Sequence, residues 1–309
     1  MRRVSAYSAN LFLSFIWALY IVLSRYAVQH LSLFMIGFLS RLVAVAGLSL
    51  WILCKKERVT LFSMQNKGGL LLLIGIFAFL LDASAFLGLK YSSAINGSLL
   101  LRTDILFILL FSYFFLRERF QPGDWISIIL MFLGTFLVMK KNLLQFELRG
   151  WGDLMFILSA FLITCNAFII KLKLSSLRDE TIAFYNNLFA TIFYGIFSAI
   201  GGNSGSLTTP LLLPFTLFLM GICDVFLYIS YYYSLRHLPV WVVRILLLLI
   251  PVWSIFLGYF FLGERMDYLQ AWGMLLLLSG AAYLIWRRRE LEEEKNYRIE
   301  GVEGRIMVK

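Results

Sequence analysis

Along this chain the apolar residues gather in windows of about 20, separated by short segments that carry most of the Lys and Arg. A helix needs about 20 mostly apolar residues, rising ~1.5 Å each, to cross the hydrocarbon core of a bilayer. The windows predict spans at 8–28, 33–53, 69–89, 93–115 and 123–139, then at 151–170, 180–200, 212–234, 239–261 and 268–286. Ten crossings are expected, and 123–139 is the shortest of them.

Sliding the sequence along itself by 146 positions aligns its two halves without a gap. Arg25 then meets Lys171, Phe38 meets Phe184, Ala44 meets Ala190, Gly75-Ile76 meets Gly221-Ile222, Leu89-Lys90 meets Leu235-Arg236 and Gly134 meets Gly280. The clearest match sets Tyr113-Phe-Phe-Leu-Arg-Glu-Arg119 against Tyr259-Phe-Phe-Leu-Gly-Glu-Arg265. Matches of Leu and Phe arise by chance in apolar sequence, so the charged and glycine pairs at one fixed offset carry the inference. The expected units are 1–146 and 147–289, five helices each, followed by a tail at 290–309. An odd number of crossings per unit makes the second enter the membrane from the opposite side, giving inverted repeats suited to alternating access.

Lys and Arg concentrate in cytoplasmic loops. With the N-terminus inside, the inner segments hold Arg2, Arg3, Lys55, Lys56, Arg58, Lys67, Arg117, Arg119, Lys171, Lys173, Arg178 and Arg236, with more in the tail. The outer ones hold Arg25, Lys90, Lys140, Lys141, Arg149 and Arg265. Both termini are therefore expected in the cytoplasm, and the uncharged stretch 201–210 on the outer side. The run after Met1-Arg2-Arg3 is long for a signal peptide and lacks a cleavage site, so it is expected to be retained as the first helix.

Composition agrees: 61% hydrophobic residues, 15% charged and a mean hydropathy of +0.82 describe an integral membrane protein. The net charge of +10 reports topology rather than a nucleic-acid partner. Cys54, Cys165 and Cys223 lie in or beside apolar runs without C-x-x-C spacing, and are expected to be buried, inert thiols. P-loop, H-E-x-x-H and G-x-S-x-G motifs are absent, and no cofactor, metal or catalytic residue is expected.

The sequence resembles the EamA type of the drug/metabolite transporter superfamily, through Phe115-Leu-Arg-Glu-Arg119 and Phe261-Leu-Gly-Glu-Arg265 ending the fourth and ninth helices. Gly134, Gly273 and Gly280 in the helices that follow, and Gly150-Trp-Gly-Asp153 opening the sixth, fit the same pattern. A proline frequent in the fourth and ninth helices is matched by Pro251, while Ile105 stands at that position in the first half. The resemblance implies ten helices, a central cavity lined mainly by helices 1, 3, 4, 6, 8 and 9, and secondary transport of metabolites.

A charge at a helix centre costs roughly 2.5–3.5 kcal/mol on insertion scales, so it should face a cavity or a partner. Arg41, Asp82, Arg102, Asp104, Asp224 and Arg244 stand at such depths. They form either structural ion pairs or contacts to a solute or coupling proton. Each half has an acid on its third helix and an Arg on its fourth, 20 residues apart, displaced by four positions between halves. That displacement of about one turn keeps the same face. An Asp82–Arg102 bridge across the hairpin of helices 3 and 4 is feasible by depth, whereas Asp224 lies about 9 Å deeper than Arg244. Arg102 and Asp104 diverge around one helix, so one of them needs a partner elsewhere.

Trp51, Trp125, Trp151, Trp272 and Trp286 fall near span ends, as an interfacial belt requires. Trp17, Trp253, Tyr228 and the run Tyr231-Tyr232-Tyr233 lie deeper, as core packing or as cavity walls able to stack on a solute. Arg25, Lys90, Lys171 and Arg236 are expected to complement helix C-termini, His30 and His237 to cap or face solvent, and Arg287-Arg-Arg289 to stop transfer. The tail is expected to be a solvated helix that frays.

The leading reading is a secondary-active transporter in the inner (cytoplasmic) membrane, by exchange or proton coupling, for a small amphipathic metabolite such as an amino acid or nucleoside-like compound. A flippase for a lipid-linked substrate, a membrane-embedded enzyme and a sensor are the alternatives. Its partners are the solute and membrane lipids, and the chain is a monomer or a homodimer.

Overall fold

The computed structural model describes residues 2–27, 30–54, 64, 66–91, 100–117, 120–138, 150–200, 212–262 and 268–306. Among these residues there are α-helices and short 3-10 turns but no strand. The first half holds α1 (Arg2–Ala27), α2 (Leu33–Leu53), α3 (Gly68–Tyr91), α4 (Asp104–Phe115) and α5 (Pro122–Val138). The second holds α6 (Trp151–Lys173), α7 (Asp179–Ile200), α8 (Leu212–His237), α9 (Val240–Leu246), α10 (Ile250–Leu262) and α11 (Tyr268–Ile306). Eight helical stretches are long and apolar enough to cross a membrane, and α5 is a shorter apolar helix. The chain is a multi-pass membrane protein. Glu118, Arg119, the charged end Glu264-Arg265 and the stretch 201–210 lie outside the described residues.

The expected ninth span is α9 and α10 joined by a 3-10 turn, Leu247–Leu249. Pro251 lacks the amide that would bond the carbonyl of Leu247, and the chain tightens at that point. The first half makes the same turn at Leu101–Thr103, 146 positions earlier, although Ile105 replaces the proline. There Thr103 Oγ1 donates to the carbonyl of Leu100 at 2.6 Å, a local bond that competes with helical pairing. The break is thus common to both halves, and proline is not its only cause.

Packing follows the repeat. α1 lies on α8 and its counterpart α6 on α3, α2 lies on both α7 and α8, and α5 crosses α11. Every residue from Val240 to Leu249 is buried, so α9 and its turn form the centre of the core. Outward faces carry Leu50, Phe114, Phe260 and the five belt tryptophans, all exposed and suited to lipid. Without a hydrophobic force between helices in lipid, close packing holds them together, and small residues permit it. A Cβ on Gly221 would stand 2.4 Å from Val43 Cβ, and one on Gly134 2.7 Å from the carbonyl oxygen of Gly273.

Two expectations change. Cys54 is exposed at the end of α2 rather than buried, because it caps a helix whose last turn leaves the core. Arg288, expected as a simple stop signal, donates to the fully buried Asp124 at 2.9 and 2.5 Å and lies 4.8 Å from the Trp241 ring. It therefore locks α11 onto α5. The helix of the tail continues α11 without a break as far as Ile306.

Candidate functional site

Arg41 projects from α2 into the contact with α3, α7 and α8, where it is almost fully buried. Its Nη2 meets Asp82 Oδ2 at 3.0 Å, and its Nη1 donates to Tyr228 Oη at 2.9 Å and Asn187 Oδ1 at 3.3 Å. Tyr194 donates its hydroxyl to the same Asp82 oxygen at 2.5 Å, and the rings of Tyr194 and Tyr228 lie 5.5 and 5.6 Å from the guanidinium. A buried cation requires such a set of acceptors and ring faces. Asn187 is the offset equivalent of Arg41, and Tyr228 that of Asp82. A residue bonded to its own counterpart marks where the two halves meet.

A second pair lies on the other wall. Arg244 of α9 stands 3.6 Å from Asp104 at the start of α4, both almost fully buried, with the Tyr231 ring 5.5 Å from the guanidinium. Arg102, on the 3-10 turn before Asp104, adds its charge to this group, and its buried Nε has no hydrogen-bond partner among the described residues. Thr164 of α6 bonds the Asp104 carbonyl at 3.4 Å.

Between the two pairs lies a cavity of about 150 Å³ lined by Trp17, Tyr20, Arg41, Ala78, Leu81, Asp82, Ile163, Asn166, Asp224, Leu227, Tyr228, Tyr231 and Arg244. At ~30 Å³ per water, it has room for about five waters or one compact solute. Ten of those thirteen residues form five offset pairs: Trp17 with Ile163, Tyr20 with Asn166, Ala78 with Asp224, Leu81 with Leu227 and Asp82 with Tyr228. The cavity is symmetric in position and asymmetric in chemistry. No group of three or more His, Cys, Asp or Glu side chains converges as metal ligands would, among the described residues.

The family model described as the EamA-like transporter family matches this chain twice, over residues 5–140 and 150–286. The chain belongs to the EamA-like transporter family. This EamA-like protein is 26% identical over 272 residues to an uncharacterized transporter of Archaeoglobus fulgidus, covering 86% of the chain and 92% of that relative. It is 21% identical to the uncharacterized transporter YetK of Bacillus subtilis, covering 87% and 83%. A solved crystal structure of a protein shares the fold with a TM-score of 0.78 at 16% identity, covering 91% of this chain and 97% of that one. A membrane transporter role follows.

In this EamA-like transporter, Trp17, Arg41, Asp82, Asp224, Tyr228 and Arg244 meet on one cavity, and Asp104 and Arg102 stand behind Arg244. Two expectations are corrected. Asp82 pairs with Arg41 and not with Arg102, because the Arg41 guanidinium, held by Asn187 and Tyr228, reaches the carboxylate at 3.0 Å. Trp253 does not line the cavity: its Nε1 donates to Ser14 Oγ at 2.9 Å and its ring meets Phe15, so it packs α10 against α1. The partner that Arg102 and Asp104 required is Arg244, for Asp104.

Asn187, Tyr194, Asn166 and Tyr20 escaped the sequence reading. Asn187 was findable, since a polar amide deep in an apolar span sits at the offset from Arg41. At the helix ends, Lys171 Nζ donates to the carbonyls of Leu235, Arg236 and Leu238, capping α8 rather than its own helix. Arg236 pairs with Asp179 at 2.7 Å and donates to the Leu177 carbonyl. The side chains of Arg25 and Lys90 lie outside the described residues.

Proposed function

We propose that this protein is a secondary-active transporter that moves a small organic metabolite across the cytoplasmic membrane by alternating access, through exchange or proton coupling. Ten spans form two inverted five-helix units, 1–146 and 147–289, and both termini with the tail 290–309 lie in the cytoplasm. One observation carries the reading: five offset pairs line the cavity, so the same faces of both halves bound it. When two halves of opposite orientation exchange conformations, a site between them stays in place while its opening changes sides. The charges of Arg41, Asp82, Arg244 and Asp104 are held by partners from different helices, which keeps the cavity polar without leaving most charges unpaired.

The test begins with the purified full chain and a metabolite panel, because a bound solute raises thermal stability. Solutes that stabilise it are then offered to proteoliposomes. Saturable flux above protein-free vesicles is expected. Chemical turnover of the solute without flux would overturn the reading in favour of an embedded enzyme.

A further inference from the structure

The ion pairs of the cavity leave one charge over. Arg41 is taken by Asp82 and Arg244 faces Asp104, while Asp224 has no ion pair among the described residues. Asp224 is 4% exposed, lines the cavity, and its Oδ2 has no hydrogen-bond partner. A buried carboxylate without donors is costly, and a site that keeps one is built to receive donors from elsewhere. Across the same cavity, Asn166 Oδ1 is also buried and unpartnered. Both orphan atoms are acceptors. Trp17, Tyr20 and Tyr228 also line this space, and aromatic rings attract cations.

From these observations we infer that Asp224 is the anchor of a subsite for a cationic nitrogen, so that the cargo is a small amine bearing an ammonium group. Three N–H donors of an ammonium match the Asp224 carboxylate and the Asn166 carbonyl oxygen, and the ring walls take its remaining face. The offset equivalent of Asp224 is Ala78, so only one half supplies this charge and the cargo binds in one orientation. The opposite side of the cavity holds Arg244, whose buried Nε is also unpartnered. A second, anionic group on the same solute would be received there. The inference rests on the cavity being the transporter's cargo site.

A matched series tests it on the purified full chain: n-butylamine carries the ammonium alone, norvaline adds a carboxylate to the same carbon frame, and valerate has the carboxylate alone. Butylamine and norvaline are expected to raise the melting temperature and valerate not to, with norvaline the tighter of the two if Arg244 takes the carboxylate. Asp224→Asn should weaken amine binding roughly tenfold or more, since it removes a charge-assisted bond, and Asp224→Glu should restore much of it. The variants themselves add a readout that a structural role would reverse. Because Asp224 has no ion pair among the described residues, the solute-free Asp224→Asn protein should melt no lower than the wild type. Equal amine binding by wild type and Asp224→Asn would overturn the inference, and so would a marked fall in the melting temperature of the solute-free variant. No binding of any amine, beside saturable flux of an uncharged or anionic solute, would overturn this inference and leave the transport reading standing. Amine binding without flux would do the converse.

Discussion

Replacing Gly221 by alanine sets two known effects against each other. In an open helix the change stabilises, because alanine is favoured over glycine by about 1 kcal/mol. At this crossing the new Cβ would stand 2.4 Å from Val43 Cβ, 2.5 Å from its Cγ1 and 2.7 Å from the backbone oxygen of Ser40. Carbon atoms pack at ~3.5–4.0 Å, so α2 and α8 would have to separate by roughly 1 Å. Neither a β-carbon nor a main-chain carbonyl can rotate away. Overpacking costs about 1–3 kcal/mol, and with no atom free to yield the upper part of that range applies, so a net loss of about 1–2 kcal/mol remains after the propensity gain of about 1 kcal/mol. The same separation would stretch the 2.9 Å bond from Arg41 to Tyr228, since Arg41 follows Ser40 on α2. Gly69 supplies the control, for a Cβ there would meet nothing within 4 Å. Unfolding in mixed micelles should show Gly221→Ala destabilised and Gly69→Ala unchanged or up to ~1 kcal/mol more stable. Trimming Val43 to alanine should not rescue Gly221→Ala, because its Cβ and the Ser40 oxygen remain. A Gly221→Ala protein as stable as the wild type would refute the close crossing.

Arg41→Gln leaves the Asp82 carboxylate with the Tyr194 hydroxyl as its hydrogen-bond partner among the described residues and is expected to cost about 3 kcal/mol, whereas Asp82→Asn, one-third exposed, should cost less; a micelle-unfolding series in which Asp82→Asn does the greater damage would contradict the network. Lys171→Met removes the donor to three carbonyls ending α8 and should cost about 1–3 kcal/mol, with faster hydrogen exchange near Leu238 as the local sign; unchanged exchange would rule out the cap. Trp253→Phe should leave solute affinity within about twofold while Trp17→Ala weakens it about tenfold, as measured by solute-dependent stabilisation; the reverse order would move the site to the α1–α10 contact.

Eight apolar spans and the repeat were legible because hydrophobic length and a fixed offset are properties of sequence alone. The 3-10 turns were not predicted, yet they keep the same offset: Leu101–Thr103 lies 146 positions before Leu247–Leu249. Depth along a helix separated buried charges from interfacial ones, which is why Arg41, Asp82, Asp224 and Arg244 could be named. Their pairing was not legible. Depth and spacing place residues along their helices, but Arg41–Asp82 and Arg244–Asp104 depend on which faces of those helices turn toward each other. The sequence leaves Trp253 between core packing and a cavity wall, because mid-span depth does not fix which way a ring turns. Its indole N–H found Ser14 instead.

The central claim is that one cavity between the two halves opens to each side of the membrane in turn. Ala78 lines it at the repeat position of Asp224, and a cysteine there can report access once Cys54, Cys165 and Cys223 are replaced. In sealed vesicles of known orientation, Ala78→Cys should react with a membrane-impermeant maleimide from either face, and a stabilising solute should slow both reactions. Reaction from one face alone, with or without solute, would contradict alternating access.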